Sequence, residues 1–151
     1  MKKKILASLI MFLILLAGCT SSPKVPAQEL LGVSDEVLVS ARGEGDEVSY
    51  EIDGESVIQQ RKYEEELFGM SAQVEYMFSD DEDVAQIVAT FPGVDKEELV
   101  NAVSYHLDIS PIIVQNESEE LDFMARWEKD GISYTARRIH ESSYYVMIEK
   151  N

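Results

Sequence analysis

The chain has 151 residues, 29 of them acidic and 13 basic, for a net charge of −16 at neutral pH. That charge repels phosphate backbones and anionic headgroups, which argues against nucleic-acid binding and against lying flat on an anionic bilayer. A single cysteine excludes an internal disulfide, and two histidines without HExxH spacing give no metal-enzyme signature.

The first residues are basic: Lys2, Lys3 and Lys4. Residues 5–18 then form an apolar run broken only by Ser8. A membrane-spanning helix needs about 20 apolar residues, whereas the core of a secretory signal needs about 7–15. The run fits the signal. It closes on Leu16-Ala17-Gly18-Cys19, which resembles the lipobox of bacterial lipoproteins. The resemblance implies cleavage between Gly18 and Cys19 and a diacylglycerol on the Cys19 sulfur. It also implies a chain held at the cell membrane by its lipid, facing outside the cytoplasm. Two acyl chains give stable attachment, at about 0.8 kcal/mol per buried methylene. No cofactor is expected beyond this covalent lipid, and no metal. The discarded residues 11–18, MFLILLAG, resemble peptide pheromones that some Gram-positive bacteria release from lipoprotein signals.

Residues 19–32 read as the lipidated end and a flexible tether, small and polar with Pro23 and Pro26. Such a tether reaches at most about 45 Å. Cleavage removes three lysines and no acid, leaving ten basic and 29 acidic residues, a net charge of −19. Residues 33–151 are expected to form one domain.

The alternation of Val37, Val39 and Ala41 suggests a first strand. Val48, Tyr50 and Ile52 alternate more cleanly, and Asp53-Gly54 is a two-residue hairpin signal. The return strand runs from Glu55 to about Tyr63 and sets Tyr50 opposite Val57. Residues 64–68 fit strand or helix. Tyr63, Leu67, Met70, Val74 and Met77 recur at helical spacing, which predicts a helix over 69–78. Ser79-Asp80-Asp81-Glu82 has the form of a capping box, and Val84, Ile87, Val88 and Phe91 form a stripe, predicting a helix that ends at Pro92-Gly93. Asp95-Lys96-Glu97-Glu98 caps another helix, stapled by Val94 and Leu99, with Leu99, Ala102, Val103 and either His106 or Leu107 inward. Strands follow at 109–114, 121–128, 132–136 and 144–148. Asp130-Gly131 forms a hairpin that sets Trp127 opposite Tyr134. The order of elements predicts an α+β domain: an antiparallel sheet built from two hairpin or meander segments flanking short helices packed on one face. The two Asp-Gly hairpins flank the helices with rough symmetry, too little to identify an internal repeat.

Each hairpin is followed by a basic pair, Arg61-Lys62 and Arg137-Arg138. Side by side, the hairpins would make an anion or partner site of these four. The alternative is neutralisation by neighbouring glutamates. Acid runs at 64–66, 80–83 and 117–120 raise calcium binding. An EF-hand counted from Asp81 puts Gln86 where glycine is required. Gly69-Met70-Ser71-Ala72-Gln73 approaches a nucleophile elbow without its last glycine. The stretch GDEVSYEIDGESVIQQ resembles the opening hairpin of YehR-like small bacterial lipoproteins of unknown function, and the matching stretch holds no catalytic motif. The expected role is a non-enzymatic binding module that meets an envelope protein, peptide or polymer through its sheet face, where Tyr145 and Met147 could line a groove. The alternatives are an envelope hydrolase using paired carboxylates, an acidic calcium-binding lipoprotein, and a pheromone precursor.

Overall fold

The computed structural model describes residues 24–114, 123–140 and 143–151. The signal segment with Gly18 and Cys19, and the acid run at 117–120, lie outside the described residues. A 3-10 turn (Ala27–Leu30) leads to helix α1 (Asp35–Arg42) and four strands: β1 (Asp46–Ile52), β2 (Glu55–Leu67), β3 (Met70–Phe78) and β4 (Val84–Pro92). Helix α2 (Lys96–Leu107) follows, then β5 (Ile112–Val114), β6 (Met124–Lys129), β7 (Ile132–His140) and β8 (Ser143–Lys150). All eight strands join one antiparallel sheet in the order β1-β2-β3-β4-β8-β7-β6-β5.

The expected α+β domain, with hairpin segments flanking short helices, is corrected: the described residues form mainly one eight-stranded antiparallel sheet, with two α-helices. Residues 69–78 and 84–91 are strands β3 and β4, not helices. In β3 the inward residues are Ala72, Val74 and Tyr76, while Met77 points the other way. In β4 the ladder slips one residue at Ala85, so Val84 and Ile87 both face inward before Ala89 and Phe91 resume alternation. That bulge imitates helical spacing. The acid run at 79–83 is the hairpin turn between them: Asp81 N–H donates to Ser79 Oγ at 3.3 Å. The same side chains serve turns and helix caps, which is why the run read as a cap. Conversely, the segment expected as a first strand is helix α1, with Leu38 fully buried. Residues 64–67 continue β2.

Other local signals hold. Asp95 caps α2 by accepting from Glu98 N at 2.8 Å, and Leu99, Val103 and Leu107 are its buried face. Tyr50 lies opposite Val57, and Trp127 opposite Tyr134.

The strand order is a palindrome, and the registers make the halves equivalent. Each half is a helix followed by a four-stranded meander, and the last strands, β4 and β8, pair with each other. The tight turns Phe68-Gly69 and Asp130-Gly131 correspond, each with two positive-φ residues. From those turns the ladders map Glu65 onto Trp127, Ala72 onto Tyr134, and Ala89 onto its own partner, Val146. A pseudo-twofold axis thus passes between Ala89 and Val146. The helix caps Ser34 and Asp95 correspond as well, and from them the buried Leu38 maps onto the buried Leu99. The sequence keeps a trace: Val33, Glu36, Leu38, Val39 and Ala41 recur as Val94, Glu97, Leu99, Val100 and Ala102. The matching hairpin of Asp130-Gly131 is Phe68-Gly69, not Asp53-Gly54.

The core lies on one face of the sheet. Tyr76, Ile87, Phe91, Trp127, Val146 and Ile148 point there and meet Leu38, Leu99 and Val103 from the helices. Each such side chain contributes about 1.5–3 kcal/mol on leaving water. The segment expected as flexible tether also joins this core from Ala27 onward. Ala27, Leu30 and Leu31 are buried, and Gly32 N–H donates to Val84 O at 2.7 Å. Three apolar side chains so close together have more to gain by packing than by solvation. The opposite face carries a mixed row that includes Lys62, Glu75, Val88, Met147 and Thr135.

Candidate functional site

β2 alternates so that Arg61, Tyr63, Glu65 and Leu67 all face the core side. Two of these are charged and buried, an expensive choice unless each charge is paired and hydrogen-bonded. Arg61 is fully paired. Its Nε and Nη2 take both oxygens of Asp35, at the start of α1, with Nη2 to Oδ2 at 2.7 Å. Nη2 also reaches Glu47 at 3.2 Å, and Nη1 donates to Glu44 O at 2.7 Å. The hydrogen bond to Asp35 is the main cause holding the guanidinium above its ordinary pKa, against the opposing effect of burial. Arg61 thus bolts α1 and the α1–β1 loop to the sheet. Tyr63 supports the same loop by donating to Gly43 O at 2.9 Å. Its ring stands edge-on to Tyr76 at 5.6 Å.

Glu65 is the centre of a second cluster. Arg42 Nε lies 3.1 Å from both carboxylate oxygens, Tyr76 OH donates to Oε1 at 3.1 Å, and Lys24 Nζ is 3.0 Å from Oε2. The Arg42 and Glu65 side chains are 2% and 3% exposed, so this is an interior ion pair. Arg42 Nη2 donates to Val25 O at 2.5 Å. Arg42 Nη1 is buried with no partner among the described residues. Burial, then the Glu65 charge, pushes the Tyr76 hydroxyl well above the usual tyrosine range.

This cluster borders a cavity of about 530 Å³. The strand residue before the Phe68-Gly69 turn, the end of α2 and the segment 24–29 enclose it, with Lys24, Ala27, Arg42, Phe68, Leu107 and Tyr134 among its walls. Phe68 holds φ at 54°, where a bulky residue is disfavoured and the equivalent turn carries Asp130. Its ring is buried, edge-on to His106 at 5.7 Å and to Tyr134 at 6.3 Å. Packing imposes the strained turn, and the result is an apolar wall. Lys129 closes the α2 end by donating to Leu107 O at 2.6 Å.

The four basic residues singled out by the sequence do not meet. Arg61 is buried on the core side. Lys62 faces the opposite side and pairs with Glu75 at 2.9 Å. β2 and β7 are separated by β3, β4 and β8, which puts their axes about 19 Å apart at 4.8 Å per step. Arg137 shares the open face opposite Met124 and Tyr145, while Arg138 lies opposite Tyr144 on the inner row. The hairpins are not side by side, because β4 and β8 fill the centre of the sheet. Tyr145 and Met147 lie on the open face, half-exposed. Sequence reading missed Arg42, Glu65 and Tyr76. The available signal was parity: Glu65 falls on the inward register of β2, between Tyr63 and Leu67.

No family model matches the chain, and no curated protein matches it. Among solved structures it is similar to an extracellular protein containing an SCP domain from Bacillus anthracis str. Ames, with a TM-score of 0.49 and 11% identity. The likeness covers 87% of this chain and 48% of that one, so the chain spans about half the length of that protein. No helix among the described residues is long and apolar enough to cross a membrane.

Proposed function

We propose that the protein is a lipid-anchored binding module of the bacterial cell envelope, attached through Cys19 and binding its ligand without chemical turnover. One observation carries this reading. The lipobox-like sequence ends only Thr20-Ser21-Ser22-Pro23 short of Lys24, the first residue of the cavity wall. From Cys19 to Lys24 the chain spans at most about 18 Å, so the domain rides close to the bilayer rather than about 45 Å clear of it. The cavity then stands at the membrane-proximal end of the molecule. Binding is favoured over carboxylate hydrolysis because Glu65, the buried acid of the cavity, already accepts from Arg42, Tyr76 and Lys24. A carboxylate whose oxygens are so engaged offers no free acceptor to a substrate.

The test is intact-mass spectrometry of the protein purified from its native membrane fraction. Anchoring predicts a mature chain starting at Cys19 with the added mass of a diacylglycerol, and a Cys19→Ala variant that leaves the membrane fraction. A free thiol at Cys19, or a different amino terminus, would overturn it.

A further inference from the structure

We infer that the free edge of β1 takes up an extended, basic segment of a partner protein as an added strand. This names a partner for the binding-module reading above, on which it rests, and does not depend on the lipid.

β1 ends the sheet, and among the described residues its backbone has no partner other than β2. Alternate residues of an edge strand turn both backbone groups outward, which makes a template for another strand. β1 holds no proline, glycine or lysine to blunt that edge. The bulge in its ladder falls on β2, where Gln59 is the extra residue, so β1 itself stays regular.

The pseudo-twofold shows that this end is built out. Lys62 corresponds to Met124, and their partners Asp46 and Val114 correspond too. Residues 47–61 lie between the first pair and residues 115–123 between the second, so the first half is six residues longer here. β3 pairs with β2 only from Gln60 onward. Residues 49–52 and 55–58 therefore form a ribbon two strands wide, standing past the sheet. Two strands alone are marginal in water, and a third strand with an apolar face secures them.

The side chains of β1 decide which strand fits. Val48, Tyr50 and Ile52 share one face, and Tyr50 and Ile52 are 43% and 48% exposed. Glu47, Ser49 and Glu51 share the other. Glu47 reaches Arg61 at 3.2 Å yet its side chain stays 42% exposed, and Glu51 is exposed. Cross-strand neighbours are favoured when apolar meets apolar and acid meets base. A strand added to β1 therefore alternates aliphatic residues with basic ones. A second copy of this chain does not fit. Antiparallel pairing about Ser49 would set Glu47 against Glu51 of the second copy, and parallel pairing in register would set each acid against itself. The net charge of −16 likewise repels another copy and draws a basic segment.

Calorimetry and amide hydrogen exchange on the full chain in detergent test this with three heptapeptides, each acetylated and amidated. Val-Lys-Val-Ser-Val-Lys-Val carries the matching pattern in either direction. Val-Glu-Val-Ser-Val-Glu-Val reverses its charge, and Lys-Lys-Val-Val-Val-Val-Ser keeps its composition without its alternation. The first peptide is expected to bind at least about tenfold more tightly than either of the others, and to slow exchange in residues 46–52. Glu51→Lys leaves the Arg61 contacts in place and is expected to weaken that binding about tenfold. The inference is overturned by equal affinity for the first peptide and either control, by unchanged affinity in Glu51→Lys, or by protection confined to other strands. A concentration-dependent dimer protected over 46–52 without peptide would overturn it too, and make a second copy the occupant. No binding at millimolar peptide by a chain that carries lipid on Cys19 would defeat this inference and leave the anchor standing.

Discussion

Arg42 places one nitrogen, Nε, equidistant at 3.1 Å from both oxygens of Glu65, across the junction of the first helix and the second strand. Both side chains are almost fully buried. Removing one partner leaves the other charged and unpaired in the interior, which costs about 3–5 kcal/mol. Glu65→Leu should lose that much in urea unfolding, with an unchanged denaturant slope. A loss below about 1 kcal/mol would mean that water reaches the pair.

Tyr76 ties stability to alkaline pH. An unfolded tyrosine ionises near pH 10. Folded, Tyr76 keeps its proton above that point, because it is buried and donates to Glu65. The stability it contributes is therefore complete below pH 10 and declines as the pH climbs from there toward the raised folded value. Tyr76→Phe should flatten this decline by up to about 1.4 kcal/mol per pH unit. A weaker slope persists, since burial also raises Tyr63 and Tyr134. Identical slopes for the two proteins between pH 10 and 11.5 would refute the assignment.

Arg61 anchors the first helix rather than a ligand. Arg61→Met should lower stability by about 2–4 kcal/mol, because Asp35 and Glu44 O lose their donors together. Amide exchange in α1 and the loop at 43–45 should quicken, while α2 stays protected. Equal quickening in both helices would show that Arg61 has no local role.

Leu38 and Leu99 occupy equivalent places, each fully buried four residues after its helix cap. Alanine at either should cost about 2–5 kcal/mol, and the two costs should agree within about 1 kcal/mol. A wide gap between them would argue that the halves are packed differently.

Legibility in the sequence followed the range of the signal. The Asp-Gly hairpins, the cap at Asp95 and the pairing of Trp127 with Tyr134 depend on neighbouring residues and were read directly. β3 and β4 were misread because apolar residues spaced by three and four satisfy a helix as well as a bulged strand, and only cross-strand partners decide between them. The pseudo-twofold was masked because the two meanders differ in sequence, while the matching residues sit in short helices. Arg42 and Glu65 are 23 residues apart. Nothing local marks their meeting, which needs the register of β2 and the docking of α1 at once. The four basic residues were conspicuous for the opposite reason: adjacency in sequence drew them together, and alternation in a strand sends adjacent side chains to opposite faces.

The central claim is that the fold does not require the buried charge of the Arg42–Glu65 pair, because the equivalent positions, Val103 and Trp127, are uncharged. The most direct measurement is equilibrium unfolding of the triple variant Arg42→Val, Glu65→Leu, Tyr76→Phe, which removes the charge that Val103 and Trp127 lack at the places equivalent to Arg42 and Glu65. The variant should match the unaltered protein within about 1 kcal/mol or exceed it, as apolar replacements of buried ion pairs commonly do. A loss as large as that of Glu65→Leu alone would contradict the claim and make the charges part of what holds the sheet to its helix.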